Sequence, residues 1–214
     1  MSGETTQITF YADYVCPFCY LGRVSLEILQ DEFDGEINID WRPYDLYGIL
    51  RGPNRKIGQS VRGGMDKDTL DEVTSNITRL QNEYGAEQMR NFDEIPADVD
   101  SYNAQLISWF VKTEYPDVWE TFDERIVDAL WIDGRDIGDQ SVLMELAQDV
   151  DLNQKEVEEA FSDVAVRDRL ETEFLQSLKA GVRSVPAFHV DDNSVEGPVS
   201  PERLAELIRG EQVE

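Results

Sequence analysis

Strand patterns occur near both ends of this chain, and the long stretch between them is patterned almost wholly as helix. Residues 7–12 are rich in β-branched and aromatic side chains, and residues 36–42 alternate between apolar and polar positions. Strand patterns return only at residues 187–190 and 195–197, on either side of a polar turn. Because strands at opposite ends of a chain need each other to form a sheet, the pattern favours one α/β core interrupted by a helical block.

The order of elements therefore predicts β-α-β, a helical block, and then β-β-α. We expect the core to comprise residues 1–62 and 181–214 and the helical insertion to comprise residues 63–180. Its last helix, about residues 164–180, leads back into the core. Helical periodicity begins near residue 66, with Asp66 or Asp68 as N-cap and Gly85 as a stop. Further helices are predicted over 100–114, 117–132, 140–150, 153–162 and 164–180, and a final one begins at Ser200-Pro201.

The chain has two cysteines, and they lie together as Cys16-Pro17-Phe18-Cys19 between the first strand and the first helix. Pro17 suits the first helical position, where its missing N–H costs nothing. A helix N-terminus carries partial positive charge and unpaired N–H groups, which favour a thiolate at Cys16. The pattern predicts that Cys16 forms a mixed disulfide with substrate and that Cys19 resolves it. Phe18 brings no charge, so the helix itself must supply most of this stabilisation.

Other roles for these residues stay open. A zinc site needs about four ligands, and two cysteines with the single histidine, His189, could complete one only across subunits. A purely structural disulfide across this short span would stabilise little. His189 fits a packed strand residue better than a base. Asp13 is either a turn former or an acid that assists proton transfer at Cys19. No resident metal is expected.

The charge is strongly acidic, with 45 Asp and Glu against 19 Lys and Arg, for a formal net charge of −26. A field of this sign repels phosphate backbones, so nucleic acid is not an expected partner. High ionic strength suppresses the self-repulsion of such a surface. We therefore predict a halophilic host and a melting temperature that falls on desalting.

One segment reverses this charge. Residues 46–65 contain three arginines and one lysine but no acidic residue. We expect a loop there, which either forms salt bridges with the acidic body or contacts an anionic partner such as glutathione.

No run of 18 apolar residues occurs, and the first ten residues lack the basic start and apolar core of a secretory signal. These features predict a cytoplasmic protein without a membrane partner.

Four motifs carry a resemblance: residues 11–22, 134–139, 181–188 and 197–202. Together they resemble the DsbA family, and most of all its FrnE-like branch of disulfide oxidoreductases. The resemblance runs from about residue 7 to 209 and implies a thioredoxin-like fold with a large helical insertion. It also implies that Pro186 is a cis-proline facing the cysteines and that the Val185 backbone pairs with a bound peptide.

Two departures limit what the resemblance implies. Pro17 and Phe18 lie between the cysteines without the histidine of the strongly oxidising periplasmic relative, so that redox potential does not carry over. Gln105 stands where relatives often have a histidine, which weakens an isomerase interpretation.

The leading hypothesis is a thiol–disulfide oxidoreductase that acts on thiol- or disulfide-containing proteins or small thiols. Its redox-active cysteines replace a bound cofactor, and glutathione is a candidate co-substrate. Oxidase, reductase and isomerase directions stay open, as does the oligomeric state. The alternatives are a glutathione-dependent isomerase or transferase, resembling 2-hydroxychromene-2-carboxylate isomerases, and a non-catalytic peptide-binding or chaperone module using the groove beside Pro186. The isomerase would not need Cys19.

Overall fold

The structure is a computed structural model that describes residues 5–51 and 65–211. Its four strands are β1 (Thr6–Ala12), β2 (Ile37–Pro43), β3 (Ala187–Val190) and β4 (Asn193–Glu196). The helices near the ends of the chain are α1 (Pro17–Glu32), α2 (Leu46–Arg51) and α9 (Pro201–Ile208). Those between them are α3 (Lys67–Tyr84), α4 (Tyr102–Glu114), α5 (Pro116–Trp131), α6 (Gln140–Asp149), α7 (Gln154–Ala160) and α8 (Val164–Lys179).

The four strands form one sheet in the order β2-β1-β3-β4. β1 and β2 run parallel, joined by α1, whereas β3 is antiparallel to both β1 and β4. Phe10 lies at the centre, in register with Trp41 on β2 and with Phe188 on β3. The strands from the two ends of the chain thus share one sheet, which confirms the α/β fold with a helical insertion.

Local sequence signals fix many helix boundaries. Asp66 caps α3 by accepting from the Thr69 amide, and Gly85 ends that helix with φ of 69°, a left-handed conformation that glycine adopts readily. Four further helices begin at side-chain caps, supplied by Asp139, Asn153, Asp163 and Ser200.

The helices cover the sheet and share one hydrophobic core with it. α1 packs against α3 and α9, and α8 packs along β2, where the Ser177 hydroxyl donates to the Pro43 carbonyl at 3.0 Å. Trp41 and Trp131 are the largest fully buried side chains. In the described part of the chain, no helix combines the length and apolar character needed to cross a bilayer.

Three sequence predictions need correction. The basic segment is not a loop at its start, because residues 46–51 form α2, while residues 52–64 lie outside the described residues. Residues 86–101 form turns and irregular backbone, so helix does not run almost unbroken from 66 to 180. Asn193 and Ser194 belong to β4, because the reversal is made by Asp191 and Asp192 alone, with Asp191 at φ 50°.

Candidate active site

The two cysteines lie at the start of α1, after the short loop that follows β1. Cys16 is the N-cap residue, with extended backbone (φ −84°, ψ 114°), and Pro17 occupies the first turn. The Cys16 carbonyl accepts from the amides of Cys19 at 3.0 Å and Tyr20 at 3.3 Å. The predicted placement of the motif at a helix start is therefore correct, and the fold brings Cys19 one turn behind Cys16.

Both thiols are free and buried, Cys16 at 3% and Cys19 at 2% exposure. The Cys16 Sγ lies 3.7 Å from the Val185 carbonyl, which accepts its hydrogen bond. Burial, together with the neighbouring Cys16 side chain, raises the pKa of the Cys19 thiol well above its ordinary value. These surroundings therefore favour the protonated form of the Cys19 thiol.

Asp13 is a buried carboxyl group in the loop that leads to Cys16. Its two oxygens accept from the Val15 amide at 3.2 Å and the Leu46 amide at 2.9 Å. Burial raises the pKa of Asp13 to about 7, although hydrogen bonds from Ser101 and Leu46 oppose this shift. The side chain thus organises the turn and also titrates near neutrality, within electrostatic range of Cys19.

The segment opposite the cysteines comes from the other end of the chain. The Val185–Pro186 peptide bond is cis, and the Pro186 carbonyl accepts from the Gly197 amide at 2.7 Å. Gly22 on α1 makes a close approach to this segment: a Cβ there would lie 3.0 Å from Phe188 and 3.3 Å from Pro186. The absence of a side chain at position 22 therefore lets the proline segment seat against α1.

Glu196 on β4 holds the same segment in place. Its carboxylate accepts from the Arg183 amide at 2.8 Å, the Ser184 amide at 3.1 Å and the Ser184 hydroxyl at 2.8 Å. Sequence reasoning did not single out Gly22 or Glu196. Gly22 is the last residue of the 11–22 motif, whereas only the hydrogen bonds between β4 and residues 183–184 reveal Glu196.

A buried polar network ties the cysteine loop to the insertion, and sequence reasoning missed it as well. The Asp123 carboxylate on α5 accepts from the Tyr14 hydroxyl and pairs with the Arg23 guanidinium. The Trp131 indole donates to the Tyr14 carbonyl at 2.8 Å. Tyr14, two residues before Cys16, is therefore hydrogen-bonded to α5 through both its side chain and its backbone.

The remaining residues predicted for the site have these positions. Phe18 is partly buried and packs against the core, while Val185 is buried. His189 contacts the Tyr11 ring on β1, with ring centres 4.9 Å apart, and burial lowers its pKa. Gln105 is buried, and its amide nitrogen donates to the Ser101 hydroxyl at 3.1 Å. Across residues 5–51 and 65–211, no group of three His, Cys, Asp or Glu side chains could hold a metal ion.

Comparisons with known proteins agree with this arrangement. The family model described as DSBA-like thioredoxin domain matches residues 7–209. The YwbO protein of Bacillus subtilis (strain 168) is 22% identical over 211 residues, which covers 97% of this chain and 98% of that protein.

Two solved structures have a similar fold. A probable DsbA oxidoreductase, SCO1869 from Streptomyces coelicolor, superposes with a TM-score of 0.76 at 19% identity, covering 98% of this chain and 92% of that one. A 2-hydroxychromene-2-carboxylate isomerase superposes with a TM-score of 0.69 at 20% identity, covering 95% and 93%. Both likenesses concern the fold alone.

Proposed function

This chain belongs to the family of DsbA-like thioredoxin domains, and from that premise we propose that it is a thiol–disulfide oxidoreductase acting through Cys16 and Cys19. The observation that carries the proposal is the position of Cys16, which is the N-cap residue of α1 and whose sulfur faces the Val185 carbonyl. A nucleophilic sulfur beside a backbone carbonyl is what exchange with a disulfide-bearing chain requires.

The reductive direction proceeds in two steps. The Cys16 thiolate attacks one sulfur of the substrate disulfide, so that a mixed disulfide forms and the first substrate thiolate leaves. Cys19 then attacks the Cys16 sulfur, the Cys16–Cys19 disulfide forms, and the second substrate thiolate leaves. Two electrons pass from the cysteine pair to the substrate, and the oxidative direction is the reverse.

Asp13 is the proposed acceptor of the Cys19 proton. Cys19 must lose a proton to attack, and burial opposes that loss. The Asp13 carboxyl titrates at about 7, so near neutral pH it can take the proton up and later release it.

The substrates we propose are thiol- or disulfide-containing proteins and small thiols, with glutathione as co-substrate. The Val185 and Pro186 backbone would bind the chain on either side of the reacting cysteine. We propose the cytoplasm as the compartment and reduction as the favoured direction, because two cysteines confined to one motif suit a compartment that keeps thiols reduced. Nucleic acid is not a proposed partner of a chain with a net charge of −26.

Separate replacement of the two cysteines tests the proposal. Cys16→Ser and Cys19→Ser should each abolish the catalysed reduction of insulin with dithiothreitol as the electron donor. Cys19→Ser should also accumulate mixed disulfides at Cys16. Glutathione-dependent isomerase activity that survives Cys19→Ser would instead favour the isomerase alternative. Peptide binding unchanged in both variants, without any exchange activity in the unmodified protein, would favour a binding module.

A further inference from the structure

Arg23 is a largely buried cation one helical turn beyond Cys19. The two residues are spaced i, i+4 on α1, which places them on one face of the helix. The Arg23 side chain is 19% exposed, and its guanidinium lies over the rings of Phe10 and Tyr14, at 5.7 and 5.9 Å from the ring centres. Its charge also interacts with Cys19. A buried positive charge therefore lies on the same face of α1 as the resolving thiol.

A carboxylate of the helical insertion pairs with Arg23. Asp123 on α5 is nearly buried, with 4% of its side chain exposed, and its two oxygens pair with Arg23 at 2.5 and 3.2 Å. The same carboxylate accepts from the Tyr14 hydroxyl, which lies 2.7 Å from the Ser108 hydroxyl on α4. One buried carboxylate thus binds both Tyr14 and Arg23.

We infer that Arg23 is a positioning residue that favours the thiolate of Cys19, and that Asp123 limits its effect. The inference rests on the proposed exchange between Cys16 and Cys19, and it assigns the helical insertion a role in the resolving step. When the proton leaves Cys19, a thiolate is created in a buried site, where a nearby cation acts strongly because little water screens it.

Other charged groups also face Cys19, and their directions differ. Cys16 raises the pKa of Cys19, whereas Asp13 lowers it through a backbone hydrogen bond and raises it through the charge of its carboxylate. Lys112 on α4 pairs with Asp40 at 2.6 Å, and its charge also interacts with Asp123. Arg23 is the cation whose charge interacts with Cys19 from the next turn of α1, and it opposes the effect of the Cys16 side chain.

The test measures ionisation of Cys19 without relying on enzyme activity. In a Cys16→Ser background, Cys19 is the chain's one remaining cysteine, so the carbon-13 shift of its labelled Cβ reports the thiolate against pH. Arg23→Gln should lower the thiolate fraction at a given pH about tenfold, and Asp123→Asn should raise it about three- to tenfold. Arg23→Lys, which keeps the charge, should restore most of the loss. Arg79→Gln, an exposed arginine paired with Glu83 on α3, makes the same change in net charge and should have no effect.

A purely structural role would not produce shifts of opposite sign. The inference is overturned if Arg23→Gln and Asp123→Asn move the titration in the same direction, or if neither moves it beyond Arg79→Gln. If Asp123→Asn does not fold, the contrast between Arg23→Gln and Arg23→Lys decides.

A second measurement links ionisation to exchange. In the protein with both cysteines, release of glutathione from its mixed disulfide with Cys16 should slow about tenfold in Arg23→Gln. Shifted ionisation without any glutathione release, even in the unmodified protein, would contradict the proposed function and leave the role of Arg23 intact. Normal glutathione release together with an unchanged titration of Cys19 would support the proposed function and contradict the role of Arg23.

Discussion

Substitution of Gly22 by alanine tests whether the close contact between α1 and the proline segment shapes the site. In an ordinary helix interior, Gly→Ala stabilises by about 1 kcal/mol. Here the added Cβ would lie 3.0 Å from the Phe188 ring and 3.3 and 3.4 Å from two atoms of Pro186. Carbon atoms prefer about 3.5–4.0 Å, so the neighbours must move by roughly 0.5 Å.

The surroundings of Gly22 leave little room for that movement. Phe188 is fully buried and stacks on Phe10 with ring centres 5.1 Å apart. Overpacking of this kind costs about 1–3 kcal/mol, which outweighs the gain in helix propensity. We expect Gly22→Ala to lose about 0–2 kcal/mol of stability and to push Pro186 and Val185 away from Cys16.

Urea unfolding and the rate of mixed-disulfide formation at Cys16 measure the two effects of Gly22→Ala. Ser25→Ala is the matched control, because Ser25 lies three residues further along α1 and its buried hydroxyl has no hydrogen-bond partner among the described residues. That control should gain about 0.5–1 kcal/mol and leave exchange unchanged. A Gly22→Ala protein that is about 1 kcal/mol more stable and exchanges normally would refute the reasoning.

Three more predictions follow from the buried and surface charges. Because burial raises the pKa of Asp13 from 3.8 to about 7, the folded state binds more protons than the unfolded state between these values. The free energy of unfolding should therefore fall as pH rises from about 4 to 7, by up to about 4 kcal/mol from this group. Urea unfolding of Asp13→Asn at several pH values should not show this fall. The same fall in Asp13→Asn as in the unmodified protein would contradict the role assigned to Asp13. Glu196→Gln should cost about 0.5–1.5 kcal/mol and speed amide exchange at Arg183 and Ser184, whereas the exposed Glu211→Gln should not. With a net charge of −26, the protein should melt at a lower temperature in dilute buffer than in molar KCl, and calorimetry showing no dependence on salt would exclude the halophilic prediction.

The sequence was most informative where the signal is local. Asp66 and Gly85 bound α3 because a side-chain cap and a left-handed glycine act within a few residues. Pro17 in the cysteine motif likewise indicates the start of α1. The loop predicted for the basic segment is wrong at its start, because residues 46–51 form α2, whose first amide donates to the distant Asp13.

The parts of the site that sequence reasoning missed depend on contacts between distant residues. Glu196 holds the 183–184 backbone from β4, and Asp123 reaches Tyr14 and Arg23 from the insertion, about a hundred residues away in the chain. Acidic side chains are so common in this composition that nothing marks these two in the sequence. Their roles emerge only when β4 and α5 are placed beside the cysteine loop.

A redox titration of the cysteine pair is the most direct test of the account. The protein is equilibrated with glutathione buffers in molar salt, across about −320 to −120 mV, and thiols are quenched and mapped by mass spectrometry. We predict one two-electron transition that converts both free thiols into a Cys16–Cys19 disulfide. Thiols that stay reduced throughout, or a glutathione adduct on Cys16 that Cys19 never displaces, would contradict it.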